Sequence, residues 1–212
     1  MSVVKLEHVY KTFGKHDVLK DLNLELEKGK VYAFTGESGC GKSTLMNLLG
    51  LLDKPTSGTI TLFGKVNIQP SSKESRILLR DKIGYLFQNF ALIENQSVEY
   101  NLKLAITYDK ERNKKEKVRK ALDEVCLSSY EKQKKFECSG GEQQRVALAR
   151  LLLKPCELIL ADEPTGSLDE KNKQEVWMLL KNLKNEGKTI VIVTHDLELA
   201  NKCDEIISLS KN

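Results

Sequence analysis

The residues Gly36-Glu37-Ser38-Gly39-Cys40-Gly41-Lys42-Ser43-Thr44 spell G-x-x-x-x-G-K-[ST]. Each residue type has a job in holding a triphosphate. Glycines at 36, 39 and 41 let the backbone curl so that several N–H groups converge on phosphate oxygens. A helix opening at Lys42 adds positive partial charge at its N-terminus. Lys42 supplies an ammonium for the outer phosphates, and the Ser43 hydroxyl is placed to ligate Mg²⁺. The whole run Gly36–Thr44 is the expected nucleotide cradle.

A metal-bound triphosphate also needs a carboxylate at the end of a buried strand. Leu158-Ile159-Leu160-Ala161-Asp162-Glu163 provides it. Asp162 is the expected metal ligand, at the carboxyl edge where α/β sheets bind ligands. Strand alternation turns the adjacent Glu163 elsewhere, as the expected general base for an attacking water. A second anion-binding turn follows at a distance. Cys138-Ser139-Gly140-Gly141-Glu142-Gln143-Gln144-Arg145 precedes a helix whose apolar face carries Val146, Leu148, Ala149 and Leu152. A serine and two glycines at a helix start make another anion site. One bound nucleotide has no use for two such sites in one chain. The economical arrangement is a head-to-tail dimer, with each nucleotide between the cradle of one copy and Ser139–Gly141 of the other. Cys40 and Cys138 would then flank the same nucleotide from opposite subunits.

Several elements must position these groups. Val31–Phe34 is the strand before the cradle and Lys42–Leu52 the helix after it. Ile83–Phe87, Leu158–Ala161, Thr189–Thr194 and Ile206–Leu209 are short apolar runs with little alternation, the pattern of parallel strands covered on both faces. Helical segments at Gln143–Leu153 and Lys171–Asn185 separate them, which implies an α/β fold with a mostly parallel sheet. Near the N-terminus, Leu22, Leu24 and Leu26 alternate with polar residues, and Val4, Leu6 and Thr59–Phe63 read alike. With turn chemistry at Glu27–Lys30 and Pro55–Gly58, these predict an antiparallel β subdomain. Between Phe90 and Arg150 the pattern is helical, at Ser97–Ile106 and Asn113–Cys126. The chain is therefore expected to be one domain, with a core over about 1–89 and 151–212 and an inserted helical subdomain over about 90–150. The string Asn201-Lys202-Cys203-Asp204 matches a guanine reader, but it follows the helical Leu197–Ala200 and is read as coincidence.

Lys+Arg number 34 against 30 Asp+Glu in 212 residues, a net charge of +4 that makes no case for nucleic acid. The basic run Asp109–Lys120 reads first as a solvated, salt-bridge-laced helix face, with attraction to an anionic membrane leaflet as the alternative. No apolar run approaches the ~18 residues of a membrane span. The first eleven residues hold no signal-type stretch, and the chain ends soon after its last strand. Five scattered cysteines suit a reducing compartment rather than a disulfide framework.

From end to end the chain resembles the ATPase subunit of an ABC transporter. Beyond the cradle and Asp162-Glu163, the resemblance rests on Gln88 after Gly84–Phe87, Ser167-Leu168-Asp169 after the acidic pair, His195 after Thr189–Thr194, and Phe13 in Lys11-Thr12-Phe13-Gly14. It implies a P-loop NTPase (RecA-like) fold. Phe13 would stack on adenine and His195 would contact the γ-phosphate. Gln88 would join Ser43 and Asp162 at Mg²⁺. Asp169, Ser139, Gly140, Gly141 and Glu142 would reach the nucleotide of the partner copy. The signature usually begins with Leu and ends with Gln; Cys138 and Glu142 stand there instead. Leu48–Gly58, Asp162–Asp169 and Ser139–Arg145 resemble the macrolide-export and lipoprotein-release branch, and Leu86–Asn95 resembles bacteriocin export ATPases of the lactococcin type. The resemblance implies ATP hydrolysis by a homodimer that drives a separate membrane permease from the cytoplasmic face. The alternative is a regulatory ABC ATPase that signals through a permease without moving cargo. A soluble ABC-type ATPase acting on ribosomes or DNA fits poorly, because the chain lacks a second ATPase unit and any long insertion.

Overall fold

The computed structural model describes residues 2–111, 113–166 and 168–211. Ser167 and Arg112 lie outside the described residues. Two sheets organise the chain. Strands β1 (Ser2–Phe13), β2 (His16–Glu27), β4 (Ser57–Leu62) and β5 (Lys65–Val66) form an antiparallel sheet of order β2-β1-β4-β5. Strands β3 (Val31–Thr35), β6 (Ile83–Leu86), β7 (Leu158–Asp162), β8 (Thr189–Val193) and β9 (Glu205–Ser208) form a second sheet of order β6-β7-β8-β3-β9, in which every pairing is parallel.

Side-chain alternation on the parallel strands divides two cores. Val31, Ile159, Ala161, Ile190 and Ile192 face α5 (Gly140–Leu153), α6 (Glu170–Asn185) and the helices α3 (Val98–Lys103) and α4 (Lys114–Glu124). Tyr32, Phe34, Leu158, Leu160, Val191 and Val193 face α1 (Lys42–Leu49) and the antiparallel sheet. These strands read as continuous apolar runs because both faces are covered. Between β6 and β7 the chain is helical; a bridge between Ser97 and Lys134 is the one strand-like contact outside the named strands among the described residues.

The structure departs from the sequence reading at α1 and at one further helix, and agrees with it at a third element, the helix read at Leu197–Ala200. The helix expected over Lys42–Leu52 stops at Leu49, because Gly50 closes it and Leu51 adopts φ 55°. The Asn47 carbonyl then accepts from both Leu52 N (2.9 Å) and Asp53 N (3.2 Å), a terminus that a hydrophobic pattern does not encode. The helix α2 (Lys73–Asp81) was not expected: Ser75 and Leu78 are its buried residues, so its apolar stripe is thin. Its visible signal is Ser72, whose hydroxyl accepts from Ser75 N at 3.0 Å. The short helix α7 (Leu197–Asn201) ends within the Asn-Lys-x-Asp string. Asp204 there accepts from Val31 N (2.7 Å) and from Lys184 Nζ (2.6 Å), so it anchors β3.

Candidate active site

The ends of β3, β7 and β8 lie side by side, with Asp162 opposite Val193 and Phe34 opposite Val193. Glu163 N donates to Val193 O (2.9 Å) and Thr194 N to Phe34 O (3.2 Å), which knits the three strand ends into one edge. Every loop leaving that edge therefore opens on the same side, the usual ligand side of an open α/β sheet. An open cleft of about 800 Å³ lies there. Ser38, Gly39, Gly41, Lys42, Ser43 and Thr44 line it from the loop between β3 and α1. Gln88, Asp162, Glu163 and His195 line it from the ends of β6, β7 and β8, and Phe13 from the tip of the β1–β2 hairpin.

Gly36, Glu37 and Cys40 do not line the cleft; Glu37 is exposed, and packing accounts for Gly36 and Cys40. Gly36 sits at φ 141°, where an added Cβ would lie 2.3 Å from the Leu209 carbonyl oxygen. Glycine is required there by close approach to the chain after β9 as well as by loop curvature. Cys40 is 2% exposed and belongs to the core beneath the loop. The Lys42 side chain curls back over the loop and donates to Gly36 O (2.7 Å) and Glu37 O (2.9 Å). Its ammonium is thus held by carbonyl dipoles rather than by a carboxylate, among the described residues.

Asp162 ends β7, so strand alternation does not set the direction of Glu163, and both residues line the cleft. The strand stops at Asp162, and Glu163 takes a left-handed conformation, φ 46°. An outlier of this kind is held only by its surroundings. Here Glu163 Oε2 accepts from Thr194 Oγ1 (3.2 Å) and His195 N (3.3 Å), while the His195 ring nitrogen Nε2 stands 3.6 Å from Oε1. Glu163 Oε1 is buried with no hydrogen-bond partner among the described residues. Burial pushes the Asp162 carboxyl above the usual carboxylate range; the Glu163 charge adds to the push and Lys42 opposes it.

Ser139, Gly140, Gly141, Glu142 and Asp169 lie outside this cleft. Ser139 and Gly140 are exposed at the start of α5, and a Cβ added to Gly140 would meet nothing within 4 Å. Ser139 Oγ accepts from Glu142 N (3.4 Å) and Glu142 Oε2 accepts from Ser139 N (2.6 Å), a reciprocal cap. Glu142 Oε1 accepts from the Tyr130 hydroxyl (2.6 Å). Asp169, also exposed, caps α6 by accepting from Asn172 N and Nδ2, both at 2.8 Å. Cys138 is 6% exposed, and burial raises its thiol pKa, with the charges of Glu142 and Glu137 adding to the rise. Sequence reasoning missed Val18, Thr165, Gly166, Lys173, Val193 and Asp196 as cleft residues. Asp196 had a signal, since it follows His195 and caps α7. Lys173, whose Nζ lies 3.1 Å from Asp196 Oδ2, had none.

Residues 19–166 match the family described as ABC transporter. The chain belongs to the ABC transporter ATPases. The macrolide export ATP-binding/permease protein MacB of Bartonella quintana is 39% identical over 215 residues, covering 99% of this chain and 33% of that protein. The chain thus spans about a third of the length of the macrolide exporters it matches. An uncharacterized ABC transporter ATP-binding protein of Bacillus subtilis, YvrO, is 40% identical over 97% of this chain and 92% of that one. Among solved structures, the dimeric bacterial ABC transporter cassette MJ0796 superposes with a TM-score of 0.89 at 37% identity, covering 98% of this chain and 94% of that one. A post-hydrolysis state of that cassette bound to ADP and Pi gives 0.88 at 37% identity. No helix among the described residues is long and apolar enough to cross a membrane.

Proposed function

We propose that the chain binds and hydrolyses ATP as a head-to-tail homodimer that drives a membrane permease from the cytoplasmic face. The observation that carries this reading is the split of the site. One cleft gathers most of the cradle, the acidic pair, Gln88, His195 and Phe13, while Ser139 and Gly140 of the serine–glycine–glycine turn stand exposed outside it. A second copy can bring that turn over the triphosphate, as the dimeric cassette of similar fold supports.

In this reading Phe13 stacks on the base, and the loop amides and Lys42 hold the phosphates. Lys42 exchanges the Gly36 and Glu37 carbonyls for phosphate oxygens as the nucleotide enters. Ser43, Asp162 and Gln88 offer an all-oxygen donor set in one cleft, which suits Mg²⁺; when bound, that ion neutralises charge on the outer phosphates. Glu163 accepts a proton from the attacking water at Oε1, its unpartnered oxygen. His195, beside Glu163, donates to the γ-phosphate and stabilises developing charge. Ser139, Gly140, Gly141, Glu142 and Asp169 of the partner copy close the pocket. Gln88 leads from the metal toward the helical subdomain, and the groove near Phe90–Glu94 carries the motion to the permease. The proposed cargo is a peptide or bacteriocin, an antibiotic or a lipoprotein-type molecule; among these, the likeness to macrolide exporters supports the antibiotic.

Glu163→Gln tests the scheme. The expected result is an ATP-dependent dimer on size-exclusion chromatography with turnover reduced by about 10²–10⁴. A monomer at saturating MgATP refutes the sandwich.

A further inference from the structure

Phe13 is 52% exposed at the hairpin tip, so little core packing fixes its ring. Two residues earlier on β1, Lys11 is 8% exposed, rare for lysine. Its ammonium donates to Asp53 Oδ1 (2.8 Å) and to the Lys54 carbonyl (2.9 Å), both in the loop after α1. The same nitrogen stands 4.7 Å from the centroid of the Phe13 ring. Phe13 lines the nucleotide cleft, whereas Lys11 lines a separate pocket with Asp53 and Lys54.

We propose that Lys11, clamped by Asp53, is a positioning residue for the purine base, acting through the Phe13 ring. The clamp has two effects. It ties the hairpin that carries the ring to the far end of α1, whose first turn carries Lys42 and Ser43, and so sets the distance between base platform and phosphate cradle. It also places a cation against one face of the ring. That withdraws electron density from the aromatic face and leaves the cleft side better matched to an electron-rich base such as adenine. A buried ammonium without this role would be an expensive way to close a loop.

The inference rests on the reading that Phe13 stacks on the base, so the experiment separates the two. ATP and inorganic tripolyphosphate are titrated calorimetrically into the full chain and into Lys11→Met, Lys11→Arg, Phe13→Ala and the Phe13→Ala, Lys11→Met double variant. Lys11→Met is expected to raise the Kd for ATP by roughly two- to fivefold, the range a partly exposed cation–ring contact carries. Tripolyphosphate affinity stays unchanged, Lys11→Arg retains most ATP affinity, and Lys11→Met has no effect in the Phe13→Ala background. Asp53→Asn, which loosens the clamp but keeps the ammonium, gives a smaller shift of the same selectivity and serves if Lys11→Met does not fold. The proposal is overturned by unchanged ATP affinity, by equal loss for tripolyphosphate, or by equal loss in both backgrounds. If Phe13→Ala itself leaves ATP affinity unchanged, the stacking reading fails first and takes this one with it.

Discussion

At the start of α5 the Glu142 carboxylate joins the turn to both the Ser139 amide and the Tyr130 hydroxyl, which makes Glu142 the sharpest point at which to perturb it. Glu142 is the third residue of the helix, and its carboxylate receives the Ser139 amide and the Tyr130 hydroxyl, each at 2.6 Å. Glu142→Ala removes the carboxylate half of the reciprocal cap and leaves the Ser139 hydroxyl accepting from the amide of residue 142. Losses at such positions run to about 1–2 kcal/mol, and the Tyr130 contact adds little because it is solvent-screened. For a chain of this length that corresponds to a fall in melting temperature of about 2–8 °C. Glu142→Gln keeps an acceptor for Ser139 N and gives up the charge at the helix N-terminus, a loss of about 0.3–1 kcal/mol. The Tyr130 hydroxyl and the Ser139 amide hold the Glu142 carboxyl below its ordinary value of 4.5. A folded-state pKa lowered in this way gives stability that is complete above 4.5 and disappears as pH falls through the folded value. The melting advantage of the natural chain over Glu142→Gln is therefore flat near neutrality and shrinks below that pH. Calorimetric melts across pH check the stability. ATP-induced dimerisation in a Glu163→Gln background checks the function: Glu142→Ala should weaken it, and Glu142→Gln should retain it. A Glu142→Ala chain that melts within about 1 °C of the natural one would refute the cap as the element holding the turn.

Three further outcomes are expected. His195→Ala should bind ATP with near-natural affinity and lose most of its turnover; unchanged steady-state hydrolysis would remove His195 from the reaction. Gly36→Ala should abolish ATP binding and lower stability by more than about 2 kcal/mol, since the new Cβ meets the Leu209 carbonyl and the backbone is strained; a melt and a calorimetric titration decide it. Thiol labelling of the native chain should find exposed Cys126 reacting fast, with Cys40 and Cys138 slow because both are buried. Rapid modification of either buried thiol would contradict the packing.

The parallel core was readable because burial on both sheet faces forces apolar runs such as Leu158–Ala161 and Thr189–Val193, and the cradle because phosphate chemistry tolerates few residue types. The placement of Glu163 was less so. Glu163 lies beyond the strand end as a left-handed residue held by Thr194 and the His195 amide, contacts 31 and 32 residues away that no local pattern contains. Gly36 teaches the same lesson, since its closest constraint is the Leu209 carbonyl 173 residues later in the sequence (209 − 36). Lys173 and Asp196 escaped notice because an ion pair between the first turn of α6 and the N-cap of α7 has no spacing signature.

Spacing identifies groups that one short segment must present together, and tertiary contacts decide which segments share a cleft. The division of this site follows from that rule. Residues at the carboxyl ends of β3, β6, β7 and β8 converge because one sheet edge holds them. Ser139 and Asp169 start helices that pack on the flank of that sheet, and both have their side chains committed to capping. Within one protomer they stabilise helix ends; to act on a phosphate they need a second cleft brought to them, and the self-complementary arrangement that does so for both copies at once is a two-fold dimer.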